Sequence, residues 1–185
     1  AVRNNALLAN TTGADNTAVG DNALAANTTA SYNTAVGVNA LVANTTGNNN
    51  TAVGYEAGYT STSKSNNTFF GYQAAFTNAQ SDNNAFGVQS LYSNTTGRYN
   101  TSIGNTALYS NTTAIYNTAT GYQALKANTT GQYNVAVGGD SLLNNTTASD
   151  NTALGTGAMH DNTTGANNVS VGSGSLRYNT TASNN

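Results

Sequence analysis

Asn33-Thr34-Ala35-Val36-Gly37-Val38-Asn39-Ala40-Leu41-Val42-Ala43-Asn44-Thr45-Thr46-Gly47 decides the fold of this chain, because it returns with small changes from end to end. The glycine closing Asn-Thr-Ala-Val-Gly falls at Gly20, Gly37, Gly54, Gly71, Gly87, Gly104, Gly121, Gly138, Gly155 and Gly172. Eight of the nine steps between them are 17 residues, and Gly71 to Gly87 is 16. A fixed short period predicts stacked coils, each burying its apolar side against the next, rather than one globular core.

Counted from each glycine, the repeat reads Gly-x-x-Ala-Leu-x-x-Asn-Thr-Thr-Gly/Ala-x-x-Asn-Thr-Ala-Val, in eleven copies. The fourth column is Ala or Ser throughout, and the fifth is mostly Leu (Leu7, Leu24, Leu41, Leu91, Leu108, Leu125, Leu142, Leu176). The eighth is Asn in ten copies, with Ser61 the exception. The fourteenth is Asn in every copy: Asn16, Asn33, Asn50, Asn67, Asn83, Asn100, Asn117, Asn134, Asn151, Asn168 and Asn185.

Thr-Ala-Val reads as a strand, because β-branched residues flank a small one. Asn-Thr-Thr-Gly reads as a turn, because Asn and Gly tolerate left-handed backbone angles. One Ala-Leu pair per 17 residues cannot supply the 3.6-residue period of an amphipathic helix. The expected fold is all-β, a parallel β-solenoid or β-roll of about eleven 17-residue coils, each a flattened loop of two short strands. At ~4.8 Å per coil such a stack is about 50 Å long. Like residues lie above one another, so the two Asn columns are expected to form amide ladders, each side chain donating to one neighbour and accepting from the other.

Composition agrees. Charged residues make up 6% of the chain, against roughly 25% in typical soluble domains. The twelve charges are scattered over many columns, as they must be where stacked like charges would repel. Leu, Ile, Val and Phe number only 28 in 185 residues, but the net charge is −2 and the apolar residues keep register, so order is expected. No Pro interrupts backbone pairing, and no Cys is present for disulfides or thiolate metal sites. No apolar run reaches a membrane span. Five basic residues and an isoelectric point near 4.9 mark no nucleic-acid surface. The whole chain, 1–185, reads as one repeat segment, a piece of a longer fibre that begins and ends in mid-repeat. Residues 55–86 are its irregular part: Gly58 replaces Leu, Ser61 replaces Asn, Phe69 and Phe70 replace Ala and Val, and one residue is lost near Asp82. A change of local packing explains them better than a decorated binding region does.

Asn-Thr-Ala-Val-Gly-x-x-Ala-Leu-x-x-Asn-Thr-Thr-Gly, as in Asn33–Gly47 or Asn117–Gly131, resembles the head repeats of trimeric autotransporter adhesins. It is more similar to related repeats of bacteriophage tail fibres and bacterial surface fibres, which often precede an endosialidase-type intramolecular chaperone. The uniform 17-residue coil is longer than that of the adhesin heads. The resemblance implies a left-handed β-roll with three chains around one axis. It implies a core-forming role for Val19, Val36, Val53 and their successors, and an extracellular place on a bacterial cell or a virion tail. It implies attachment as the function: a structural and adhesive fibre that spaces and presents receptor-binding tips. The partners expected are the chain's own copies, with a surface glycan or receptor as a further candidate. The alternative is a monomeric ice- or surface-binding solenoid. Thr17, Thr34, Thr51, Thr68, Thr101, Thr118 and Thr152 supply a column for it, interrupted by Asn84, Val135 and Val169.

No residue set supports an enzyme, a cofactor or a metal site. His160 is the single histidine and sits beside Asp161 in a variable turn, so neither a histidine pair nor a triad is in view. The repeating glycines lack the context of a phosphate loop. Nine Asn-Thr-Thr triplets match the glycosylation sequon, but turn and ladder chemistry accounts for them. The aromatic columns are the candidate ligand or interface surface: Tyr59, Phe76, Tyr92 and Tyr109 in one, Tyr99, Tyr116 and Tyr133 in another, and Tyr55, Tyr72 and Tyr122 in a third. Stacking between coils or burial between chains is the competing account.

Overall fold

A computed structural model describes residues 4–185. Among them ten three-residue strands pair in parallel and in chain order, forming one continuous sheet. They are β1 (Thr17–Val19), β2 (Thr34–Val36), β3 (Thr51–Val53), β4 (Thr68–Phe70), β5 (Asn84–Phe86), β6 (Thr101–Ile103), β7 (Thr118–Thr120), β8 (Val135–Val137), β9 (Thr152–Leu154) and β10 (Val169–Val171). Register is strict: Thr17, Ala18 and Val19 oppose Thr34, Ala35 and Val36, and so on up the stack. The chain is a parallel β-solenoid with about nine turns between its first and last strands, and partial coils complete the eleven copies of the repeat.

Each coil has one strand, not the two expected. Its other side is a run of tight turns. In the coil from Gly20, Ala23 N–H donates to Gly20 O, Ala25 N–H to Asn22 O, and Asn27 N–H to Leu24 O, at 3.3, 3.2 and 3.0 Å. The third residues of the first two turns, Asn22 and Leu24, have φ of 57° and 51°, as type II turns require. These turns still bond between coils: Leu24 N–H reaches Ala40 O and Ala26 N–H reaches Val42 O, at 3.0 and 3.1 Å. Backbone pairing therefore continues around the coil although only three residues of it are extended.

Left-handed Leu is unusual. Leu24, Leu41, Leu91, Leu108, Leu125 and Leu142 all have φ between 48° and 55° or within a degree of it, and all are fully buried. A left-handed L-residue costs roughly 1–2 kcal/mol, whereas burying a Leu side chain contributes roughly 1.5–3 kcal/mol. Burial wins narrowly, and it wins in each coil that carries the buried Leu. The opening glycines have φ near +119° to +139°, and a Cβ on Gly20 would lie 2.5 Å from Gly37 O. The column admits only glycine because successive backbones meet there.

The core holds the fourth-, fifth- and sixteenth-column residues, such as Ala23, Leu24 and Ala35. The middle residue of each strand turns inward and its flanking residues turn outward, because successive side chains of a strand alternate. This corrects the core role expected for Val19, Val36 and Val53: Val19 is 39% exposed, and its column continues outward through Phe70, Phe86, Ile103, Leu154 and Val171.

The irregular segment is a volume exchange. Gly58 and Ala75 take the places of two core leucines, and Phe69 replaces a core alanine and is wholly buried. A Cβ on Gly58 would lie 2.8 Å from Phe69 Cδ2 and 2.9 Å from Leu41 Cδ2. The missing residue lies in the turn between Asn78 and Ser81, because Asn94 bonds Asn78, and Ser65 bonds Ser81, across 16 positions. Phe69→Ala should therefore cost about 3–5 kcal/mol. Gly58→Leu alone should also destabilise, and the two together should recover part of the loss, read as shifts in the urea midpoint.

Candidate functional site

The repeating side chains organise as columns, and several of these are polar ladders. In the eighth column an amide with Asn one coil behind it reaches back to that Asn: Asn27 Nδ2 donates to Asn10 Oδ1 at 2.9 Å, Asn111 to Asn94 at 2.9 Å, and Asn162 to Asn145 at 3.0 Å. This is the amide ladder read from the sequence. The same Nδ2 also donates to the carbonyl three residues on, as Asn27 does to Ala30 O at 3.0 Å. These asparagines are fully buried from Asn27 to Asn162. A glycan on a buried nitrogen that already donates twice cannot coexist with this fold. The sequon matches at those positions are therefore structural.

The fourteenth column works differently from the expected amide-to-amide ladder. Asn16 Oδ1 accepts the backbone N–H of Asn33 at 2.9 Å, and Asn16 Nδ2 donates to Ala30 O at 2.7 Å. The acceptor half recurs through Asn33, Asn50, Asn67, Asn83, Asn100, Asn117, Asn134, Asn151 and Asn168, at 2.9–3.1 Å. Amide contacts such as Asn50 Nδ2 to Asn33 Oδ1, 3.1 Å, are secondary. These side chains mainly satisfy the backbone where the turn side meets the strand.

A third ladder, in the third column, has no clear signature in the sequence because its residue types vary. Asn5 donates to Asn22 and Asn22 to Asn39, both at 3.1 Å; Gln89 donates to Gln73 and Gln73 to Glu56, at 3.0 and 2.9 Å. Three buried polar atoms lack partners among the described residues: Asn44 Oδ1, Ser61 Oγ and Thr106 Oγ1. Each marks a ladder break. Ser61 is too short to reach Asn44 across the eighth column, and Thr106 is too short to join the third.

The aromatic columns stack along the axis. Tyr59, Phe76, Tyr92 and Tyr109 have centroids 5.0–5.2 Å apart and planes within 8°. Tyr99, Tyr116 and Tyr133 are spaced 4.8 and 5.4 Å. Tyr55 and Tyr72 lie 5.4 Å apart, while Tyr122 stands three coils further along the same second column. Within a stack, each ring covers its neighbour's face. The Tyr59–Tyr109 column is half-buried, and the Tyr99 column and Tyr55, Tyr72 and Tyr122 are exposed. Arg98 covers the remaining face of Tyr99, its guanidinium carbon 5.1 Å from the ring centre, and it pairs with Asp82 at 3.3 Å.

Charged groups are sparse. His160 Nδ1 and Asp161 Oδ1 lie 2.6 Å apart, and this bond holds the Asp161 carboxyl below its ordinary value, against an opposing effect of burial. The phenol of Tyr55 is pushed up by its hydrogen bond to Glu56 and by that carboxylate's charge. Burial, followed by the neighbouring Tyr109, raises that of Tyr92. The described residues form no pocket and no cluster of three potential metal ligands. Among the described residues no helix is long and apolar enough to cross a membrane. Compared with protein-family models, curated proteins and solved structures, the chain matches none.

The ladder break is directly testable. Ser61→Asn supplies the missing donor to Asn44 Oδ1 and should stabilise the fold by about 1 kcal/mol. Asn128→Ala, which strips partners from its buried neighbours, should destabilise it by about 1–3 kcal/mol. Thermal melts of the two variants against the parent check both signs.

Proposed function

We propose that this chain is a segment of a surface fibre, a structural and adhesive element that acts outside a bacterial cell or on a virion tail. The supporting observation is the outward face of the sheet. No strand from β1 to β10 contains Asp, Glu, Lys or Arg, and each turns an uncharged pair outward, such as Thr34 with Val36 or Thr101 with Ile103. A face of this composition, repeated coil after coil, offers copies of the chain a common surface to bury. The assembly proposed is a homotrimer about one axis, with the left-handed coils that the repeat's resemblance implies. Continuous ladders make the segment stiff, and three copies add avidity at the receptor-binding tips they present. Contact with surface glycans falls to the exposed tyrosine edges. The role needs no catalytic residue, cofactor or metal.

Light scattering on a sizing column tests the assembly. A mass near three times 18.8 kDa is expected, and a monomer at micromolar concentration would overturn the trimer. A second reading, a monomeric ice- or surface-binding solenoid, draws on the same face and on the exposed threonines Thr96, Thr113, Thr130, Thr147 and Thr164. Phe70 and Phe86 stand out from the strand face in adjacent coils, which weighs against a flat lattice match. Thermal hysteresis in a chain that stays monomeric would favour this second reading.

A further inference from the structure

The chain has eleven Tyr but no Cys or Trp, and its one Met, Met159, is fully buried. Its exposed one-electron donors are therefore phenols. Three occur in successive coils: Tyr99, Tyr116 and Tyr133 are 43%, 48% and 51% exposed, with ring centres 4.8 and 5.4 Å apart and planes within 16°. All three sit at a left-handed backbone position, φ 56–59°, which fixes their spacing to the coil repeat.

We propose that the Tyr99–Tyr116–Tyr133 column is a site of oxidative cross-linking, in which a peroxide with a peroxidase-type catalyst joins neighbouring coils through dityrosine. Each of two phenols loses one electron and one proton from its O–H bond. The two phenoxyl radicals couple through ring carbons ortho to oxygen, forming one C–C bond. The two displaced ring hydrogens return to the oxygens and restore both phenols. The two electrons and two protons removed reduce one hydrogen peroxide to two waters, so the step balances.

Stacked rings do not start with the ortho carbons at bonding distance, so one ring must swing about its Cα–Cβ and Cβ–Cγ bonds. Half-exposed side chains have that freedom. Tyr92 and Tyr109 stack equally closely, at 5.1 Å, but are less exposed, so they serve as a slower internal comparison. Because the partner radical is held one coil away, coupling within a molecule should outrun coupling between molecules at micromolar protein. The inference needs only the stacked column and does not depend on the fibre reading.

The test uses the whole chain, treated with peroxidase and hydrogen peroxide at micromolar concentration, then denatured and cut with trypsin. Cleavage after Lys126 and Arg177 leaves Tyr133 as the only tyrosine of peptide 127–177. The expected product joins peptides 99–126 and 127–177, two hydrogens lighter than their sum, with dityrosine fluorescence. It should form roughly tenfold faster, or more, in the native chain than in urea. Tyr116→Phe keeps the ring and its stacking but removes the phenol, and should abolish this product. A Tyr133 link that persists in that variant, equal yield in urea, or links only between molecules would each overturn the proposal.

Discussion

A single carbonyl per coil organises the turn side. Ala30 O accepts the amide of Asn27 from its own coil and that of Asn16 from the coil before. Gly47 O does the same for Asn44 and Asn33, and Gly131 O for Asn128 and Asn117. Both asparagine columns therefore meet at one point. A coil with one three-residue strand leaves most of its backbone without ladder partners from a sheet, and buried unpaired groups cost about 1–3 kcal/mol each. Backbone bonds between coils remove part of that cost, and two amides per coil add to them and fix the turn against both its own strand and the neighbouring coil.

The register of the coils carries the rest. It holds like above like, so every column must tolerate its own copy one coil away. Amides tolerate this as donor and acceptor at once, and aromatic rings as stacks. Charges do not, which explains why Asp82 and Arg98 pair across neighbouring coils while like charges stay apart. The thin core of Ala and one Leu per coil is adequate because it is only part of the stabilisation. Buried hydrogen bonds along the axis supply the remainder, and they act cooperatively because each asparagine touches the next.

Much of this was legible in the sequence. The period gave the solenoid, Thr-Ala-Val gave the strand, and the constancy of Asn27 and its eighth-column successors marked the amide ladder, whereas the equally constant Asn16 column serves the backbone instead. Asp or Asn in the thirteenth column, as at Asp15 and Asn49, even marks its left-handed backbone. Three features were not legible. Leu at a positive φ contradicts its ordinary preference, and only its burial, visible in three dimensions, makes it reasonable. Tyr99, Tyr116 and Tyr133 hide the same left-handed position behind a residue type that rarely adopts it. The outward turn of Val19 and its column was misread because strand alternation gives two faces without saying which is the core. The small residue faced inward because the space between strand and turns is too narrow for Val beside Leu. Phe69 enters it only where Gly58 and Ala75 vacate it.

The eleventh column alternates Gly13, Ala30 and Gly47, and again Gly97, Ala114, Gly131, Ala148, Gly165 and Ala182. A Cβ at Gly13 would lie 2.2 Å from Ala30 O, and one at Gly131 2.2 Å from Ala148 O. The two kinds of coil are thus different parts that fit each other, not interchangeable copies. Unequal crossing-over between such genes keeps the fit when it inserts or deletes coils in pairs. The molecule then grows or shrinks in increments of about 10 Å, at ~4.8 Å per coil, with its cross-section intact. Natural variants of differing reach are expected to differ by 34 codons or multiples of that number.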